Sequence, residues 1–88
     1  MTADTIRQDV KRLREARNLA QDDAARLVGV RQAVWSDWET GTRLPSPLAR
    51  RSLAFVFQAE LEAMTPPPQW YLDIKRRSPG LRALSDTV

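Results

Sequence analysis

Arg31, Gln32, Ala33, Ser36 and Asp37 place several kinds of surface chemistry within one short stretch. A guanidinium fork matches the O6 and N7 acceptors of guanine, and a Gln amide matches adenine. An Ala methyl fits against that of thymine, and a carboxylate accepts from the amino group of cytosine. At helical spacing Gln32, Ala33, Ser36 and Asp37 share one face, with Arg31 just ahead of it, while Val34, Trp35 and Trp38 point mostly the other way. A solvated helix face can have the same composition, so the reading depends on the elements that hold this face.

Those elements are legible between Leu19 and Gly41. The stretch reads as two short helices joined by a tight turn at Gly29 and closed by Gly41. Apolar residues at Ala24, Ala25, Val28, Val30, Val34, Trp35 and Trp38 let the second helix pack steeply across the first and leave its polar face free. A polar face held away from the body of a small basic domain suits entry into a DNA major groove.

The segment resembles the helix-turn-helix of the phage-repressor and Cro family, also called the Xre family. Leu19-Ala20-Gln21, Asp22-Asp23, Ala24-Ala25, Gly29-Val30-Arg31 and Trp38-Glu39-Thr40-Gly41 follow that family's pattern without insertion or deletion. The resemblance covers roughly Ile6 to Leu61 and is absent after it. Arg31 stands where Ser usually caps the second helix, Ala24 and Val28 replace Leu residues, and Trp35 fills a site usually held by Ile or Val. The resemblance implies base contacts from Arg31, Gln32, Ala33, Ser36 and Asp37. It implies backbone contacts from Gln21, Thr40, Thr42 and Arg43. It also implies a structural pair, Arg14 with Glu39, tying the first helix to the third, with Trp38 as the buried aromatic. Trp35 stands at a core position. Helix capping is the other role open to Gln21, and a solvated loop charge the other role open to Arg43.

Composition narrows the function classes. The chain has 88 residues, enough for one domain with a modest core, and its hydrophobic (42%) and charged (28%) fractions are those of a globular protein. It contains neither Cys nor His, and so lacks the usual metal ligands, nucleophiles and neutral-pH acid–base groups. Catalysis, a metal and a cofactor are therefore not expected. No apolar run is long enough to cross a bilayer, and the first residues do not read as a signal sequence. A net charge of +3 and a pI near 10.2 mildly favour a polyanionic partner. Only Lys11 and Lys75 are lysines; the arginine bias suits phosphate and guanine, and a GC-rich coding sequence gives the same bias.

The fold class implied is all-α, a lambda-repressor-like domain of about five helices with an extended C-terminal helical segment. Asp4 is the expected N-cap of a first helix over about 5–17, with Ile6, Val10, Leu13 and Ala16 as its apolar stripe. Asn18 suits a left-handed helix end. Ser46-Pro47 starts a fourth helix that carries Leu48, Ala49, Leu53, Val56, Phe57, Leu61 and Met64 and runs to about Ala63. Pro66-Pro67-Pro68 ends it. A further helix to about Arg77 carries Trp70, Tyr71 and Ile74, and Ser78-Pro79-Gly80 stops it ahead of a frayed tail. Residues 1–64 are thus expected to be the DNA-binding domain and 65–88 a C-terminal helix and tail. Trp70, Tyr71 and Ile74 fit either a core folded back on the fourth helix or a dimer surface.

The function expected is sequence-specific binding of double-stranded DNA at a pseudo-palindromic operator, as a homodimeric repressor in the cytoplasm. A DNA-binding antitoxin and a protein-interaction module built on the same fold are the alternatives.

Overall fold

The computed structural model describes residues 3–77, the first three of them by backbone alone. The expected tail and its stop at Ser78-Pro79-Gly80 lie outside the described residues. Among the described residues the chain forms six helices and no strand: α1 (Ala3–Ala16), α2 (Gln21–Val28), α3 (Gln32–Thr40), α4 (Pro47–Val56), α5 (Gln58–Ala63) and α6 (Gln69–Arg77). The all-α expectation holds, with one helix more than expected.

Helix α1 begins at Ala3, so Asp4 lies inside the first turn and is not its cap. Ile6, Val10 and Leu13 are buried at i, i+4 and i+7, while Ala16, expected in the same stripe, is exposed at the helix end. The chain leaves α1 through Asn18, whose φ of 54° is left-handed, and Leu19 N–H donates to the Arg14 carbonyl at 3.1 Å. Gly29 ends α2 at φ 77°, its N–H reaching back to the Ala25 and Arg26 carbonyls, and Gly41 ends α3 at φ 82°. At each of these turns the backbone needs the half of φ space that side chains disfavour.

The expected long fourth helix is two helices. Ser46 caps α4, its Oγ accepting from Ala49 N–H at 3.1 Å, with Pro47 as the first helical residue. The two meet at Phe57, at φ −109° and ψ 28°, which still donates to the Leu53 carbonyl and accepts from Leu61 N–H, each at 2.9 Å. Arg17 Nη2 donates to the Val56 carbonyl at 2.6 Å, and its guanidinium lies 4.6 Å from the Phe57 ring centre. It also pairs with Glu60, Nε to Oε2 at 2.9 Å. The last carbonyl of α4 thus takes a side-chain donor from the turn after α1. Leu53, Phe57 and Leu61 are buried as expected, but Leu48 is 74% exposed and lies off the core stripe.

The core centres on Trp35, whose ring lies 5.6 Å from Trp38 and 6.1 Å from Phe57, centre to centre. Around it α2 packs on α3, α1 on α3 and α5, and α4 on α2, α5 and α6.

Helix α6 closes the other side of this core. Trp70 and Tyr71 are buried, 2% and 0% exposed, and Ile74 packs partly buried against the same cluster. The Trp70 indole N–H donates to the buried Asp9 carboxylate of α1 at 3.0 Å, and the Tyr71 hydroxyl donates to Glu62. Of the two expected places for Trp70 and Tyr71, the structure selects the core. A dimer surface made of these rings is corrected: at 2% and 0% exposed they offer no area for a contact between protein copies. Trp70→Ala is expected to cost about 3–5 kcal/mol by opening a cavity. Urea unfolding followed by circular dichroism checks this. A variant as stable as the parent but altered only in self-association would restore the surface role.

Candidate nucleic-acid interface

Helix α3 starts without a side-chain cap. Arg31 occupies the N-cap position in extended backbone, φ −76° and ψ 154°, and makes no capping hydrogen bond. A Ser here would turn its hydroxyl back onto the helix; Arg sends its side chain outward. Arg31, Gln32 and Ala33 are exposed, and Ser36 and Asp37 are half-buried one turn on. Trp35 and Trp38 lie beneath, 0% and 2% exposed. The five expected base-contact residues therefore sit together on the open side of a short helix anchored by two indoles.

The segment after α3 folds back on it. Thr40 Oγ1 donates to the Asp37 carbonyl at 3.2 Å and lies 2.9 Å from Thr42 Oγ1. Arg43 N–H donates to the same carbonyl at 3.2 Å. Arg43 Nε stands 3.7 Å from Asp37 Oδ2. With Arg43 60% exposed, that pair adds little stability. Its consequence is electrostatic: Asp37 would repel phosphates, and Arg43 offsets its charge. Sequence reading missed this role, because the two residues are separated by the Gly41 turn and share no helical period.

Behind the face lies a hub that the resemblance gave only in part. Arg14 Nε donates to Glu39 Oε2 at 2.6 Å and Arg14 Nη2 to Oε1 at 3.1 Å, a forked pair. Arg14 Nη1 also holds the Leu19 carbonyl at 3.0 Å. The Trp35 indole N–H donates to Oε2, and Gln21 Nε2 to Oε1 at 3.3 Å. One carboxylate, its side chain 7% exposed, thus joins α1, α2 and α3. Burial pushes the Glu39 carboxyl up, but the donors from Arg14, Trp35 and Gln21 outweigh it and hold the group below its usual range.

The capping role for Gln21 is corrected: Ala20 is the N-cap of α2, and the Gln21 amide turns to Glu39. That amide nitrogen has a second hydrogen, so one donor remains beyond the hub. At the same helix start Asp22 Oδ1 accepts the Asp23 N–H at 3.0 Å, which occupies a donor that an anion would need.

A sequence profile of the helix-turn-helix domain family matches residues 7–65, more than half of the chain. The chain belongs to the helix-turn-helix domain family. No curated protein and no solved structure matched it. The matched span runs from α1 through α5 and takes in the open face of α3, the Asp37–Arg43 segment and the Glu39 hub. It is a DNA-binding domain, which agrees with the resemblance read from Leu19 to Gly41. No helix among the described residues is long and apolar enough to cross a membrane.

The helix-turn-helix should lose stability in acid. Hydrogen bonds hold three carboxyls below their usual range: Glu39 as above, Glu60 by its bond from Arg17, and Glu62 by its bond from Tyr71. In the unfolded chain such groups titrate at about 4.3, so on acidification the unfolded state takes up protons first. The stability they contribute is present above that pH and is lost as pH falls through the lower folded values. The urea midpoint is therefore expected to drop below about pH 4.5, and Glu39→Gln should flatten that dependence while lowering stability at pH 7. A midpoint independent of pH in the parent protein would contradict the assignment.

Proposed function

We propose that the chain is a sequence-specific transcriptional regulator of the phage-repressor and Cro type, acting as a repressor by covering its operator. Helix α3 enters the major groove with Arg31, Gln32, Ala33, Ser36 and Asp37 toward base edges. Gln21, Thr40, Thr42 and Arg43 meet the backbone and set register. The observation that carries this reading is the face of α3, exposed at Arg31, Gln32 and Ala33 and half-buried at Ser36 and Asp37, over two buried tryptophans. Cytoplasmic location follows as part of the same proposal.

One recognition helix covers only a few base pairs, so two copies are proposed to bind an inverted repeat with half-site centres roughly 34–36 Å apart. Leu27, Leu48 and Phe55 are 48%, 74% and 47% exposed and line one groove between α2 and α4. That groove, rather than the Trp70–Tyr71–Ile74 face, is our proposed contact between copies.

Selection of bound sequences from a random duplex pool tests the whole reading. An enriched inverted repeat is expected; no enrichment would leave a protein-interaction module as the better account. Gln32→Ala should weaken binding to the selected site by about 1–3 kcal/mol and relax preference at one or two base pairs. Unchanged affinity would remove Gln32 from the reading set. Arg43→Ala should weaken binding to selected and random duplex alike and lower the salt slope by about one unit. A loss confined to the selected site would contradict its phosphate role. Leu48→Glu should abolish cooperative binding while leaving half-site binding intact; a monomer mass for the parent, both free and on DNA, would overturn the dimer.

A further inference from the structure

A cleft of about 360 Å³ lies between α4 and α6 and is lined by no residue of α3. Its apolar walls are Pro47, Trp70 and Ile74, and its charged lining is Arg50, Arg51, Arg77 and Asp73. The volume falls within the range of small-molecule sites. Three guanidinium groups thus face one carboxylate, and that carboxylate is already engaged: Asp73 Oδ1 accepts from Arg76 Nη2 at 3.0 Å and from Gln69 Nε2 at 3.0 Å. Among the described residues none of Arg50, Arg51 and Arg77 has an ion-pair partner. Arg50 Nε is shut off from solvent and has no hydrogen-bond acceptor. A guanidinium partly stripped of water without a counter-charge is unfavourable, and an anion beside it relieves that cost.

We propose that this cleft binds a small organic anion, a carboxylate or phosphate monoester on a flat apolar body. The charged head lies among Arg50, Arg51 and Arg77, and the body lies against Trp70, Ile74 and Pro47. Arginine suits this because its planar fork meets two oxygens of a carboxylate or phosphate at once. Asp73 at the rim disfavours ligands with a second, outlying negative charge. The proposal does not depend on DNA binding, and its test uses the free protein.

The chain has three tryptophans, of which only Trp70 lines the cleft. Their indole N–H signals in a nitrogen–proton correlation spectrum therefore report where a ligand binds. Phenyl phosphate and benzoate are titrated into the full chain, with inorganic phosphate as the body-less probe. A saturable shift of the Trp70 signal by at least one of the organic anions is expected, with Trp35 and Trp38 unmoved and inorganic phosphate weaker. Arg77→Gln, at an exposed position that does not threaten the fold, and Arg50→Gln should each weaken binding about tenfold, the loss of one charge-assisted contact. Asp73→Asn should tighten it. No saturable shift, equal movement of all three indoles, equal binding of inorganic phosphate, or unchanged affinity in both arginine variants would overturn the site. So would a loss of duplex affinity in Arg50→Gln with no binding of either organic anion, since the arginines would then serve the DNA backbone.

Discussion

The geometry of this domain depends on one carboxylate placed where water barely reaches it. Glu39 sits near the end of α3 and takes donors from Arg14, Gln21 and Trp35. A buried charge of this kind is tolerated only when its lone pairs are filled, and here each oxygen has two donors. Satisfying it fixes the crossing of α1 over α3 and the start of α2 together. It also fixes the rotation of α3 about its own axis, because Trp35 on the same helix must donate inward. Once that rotation is set, Arg31, Gln32 and Ala33 have no course but outward. The reading face is thus defined from behind.

A second arginine does comparable work on the other side of the core. Arg17 leaves the turn after α1, pairs with Glu60, covers the Phe57 ring and takes the Val56 carbonyl. That last bond lies where α4 gives way to α5. The bend lets Phe57 reach Trp35 and lets Leu61 join the same core as Leu53. The two hubs start from Arg14 in the last turn of α1 and from Arg17 in the turn just after it, both ahead of the start of α2 at Gln21. The first helix therefore serves as the brace for everything that follows.

Helix α6 extends the core beyond the matched span. Trp70 reaches back to Asp9, and Tyr71 to Glu62, so residues from three helices share buried rings and satisfied polar groups. Without the Trp70 bond, Asp9 would be a buried carboxylate lacking a side-chain donor among the described residues. The same packing forms the arginine-lined cleft, since Trp70 and Ile74 present one edge to the core and another to that space.

Much of this was legible in the sequence. The two glycines, the apolar spacing from Ala24 to Trp38 and the Ser46-Pro47 start each act locally, through φ, helical period or a cap one turn away, and local rules suffice to read them. The pairing of Arg14 with Glu39 was legible only because the pattern resembles a family; no period links residues so far apart. What the sequence could not show was decided by contacts between distant segments. The division at Phe57 has no Gly or Pro to mark it, and the carbonyl freed there is taken by Arg17, from a distant part of the chain. Gln21 looked like a cap or a phosphate ligand, and one of its amide hydrogens goes instead to Glu39, 18 positions along the chain. Trp70 and Tyr71 have the same hydrophobic pattern whether they face a partner or a core. The choice fell to Asp9 and Glu62, polar partners on other helices, which only folding brings within hydrogen-bonding reach.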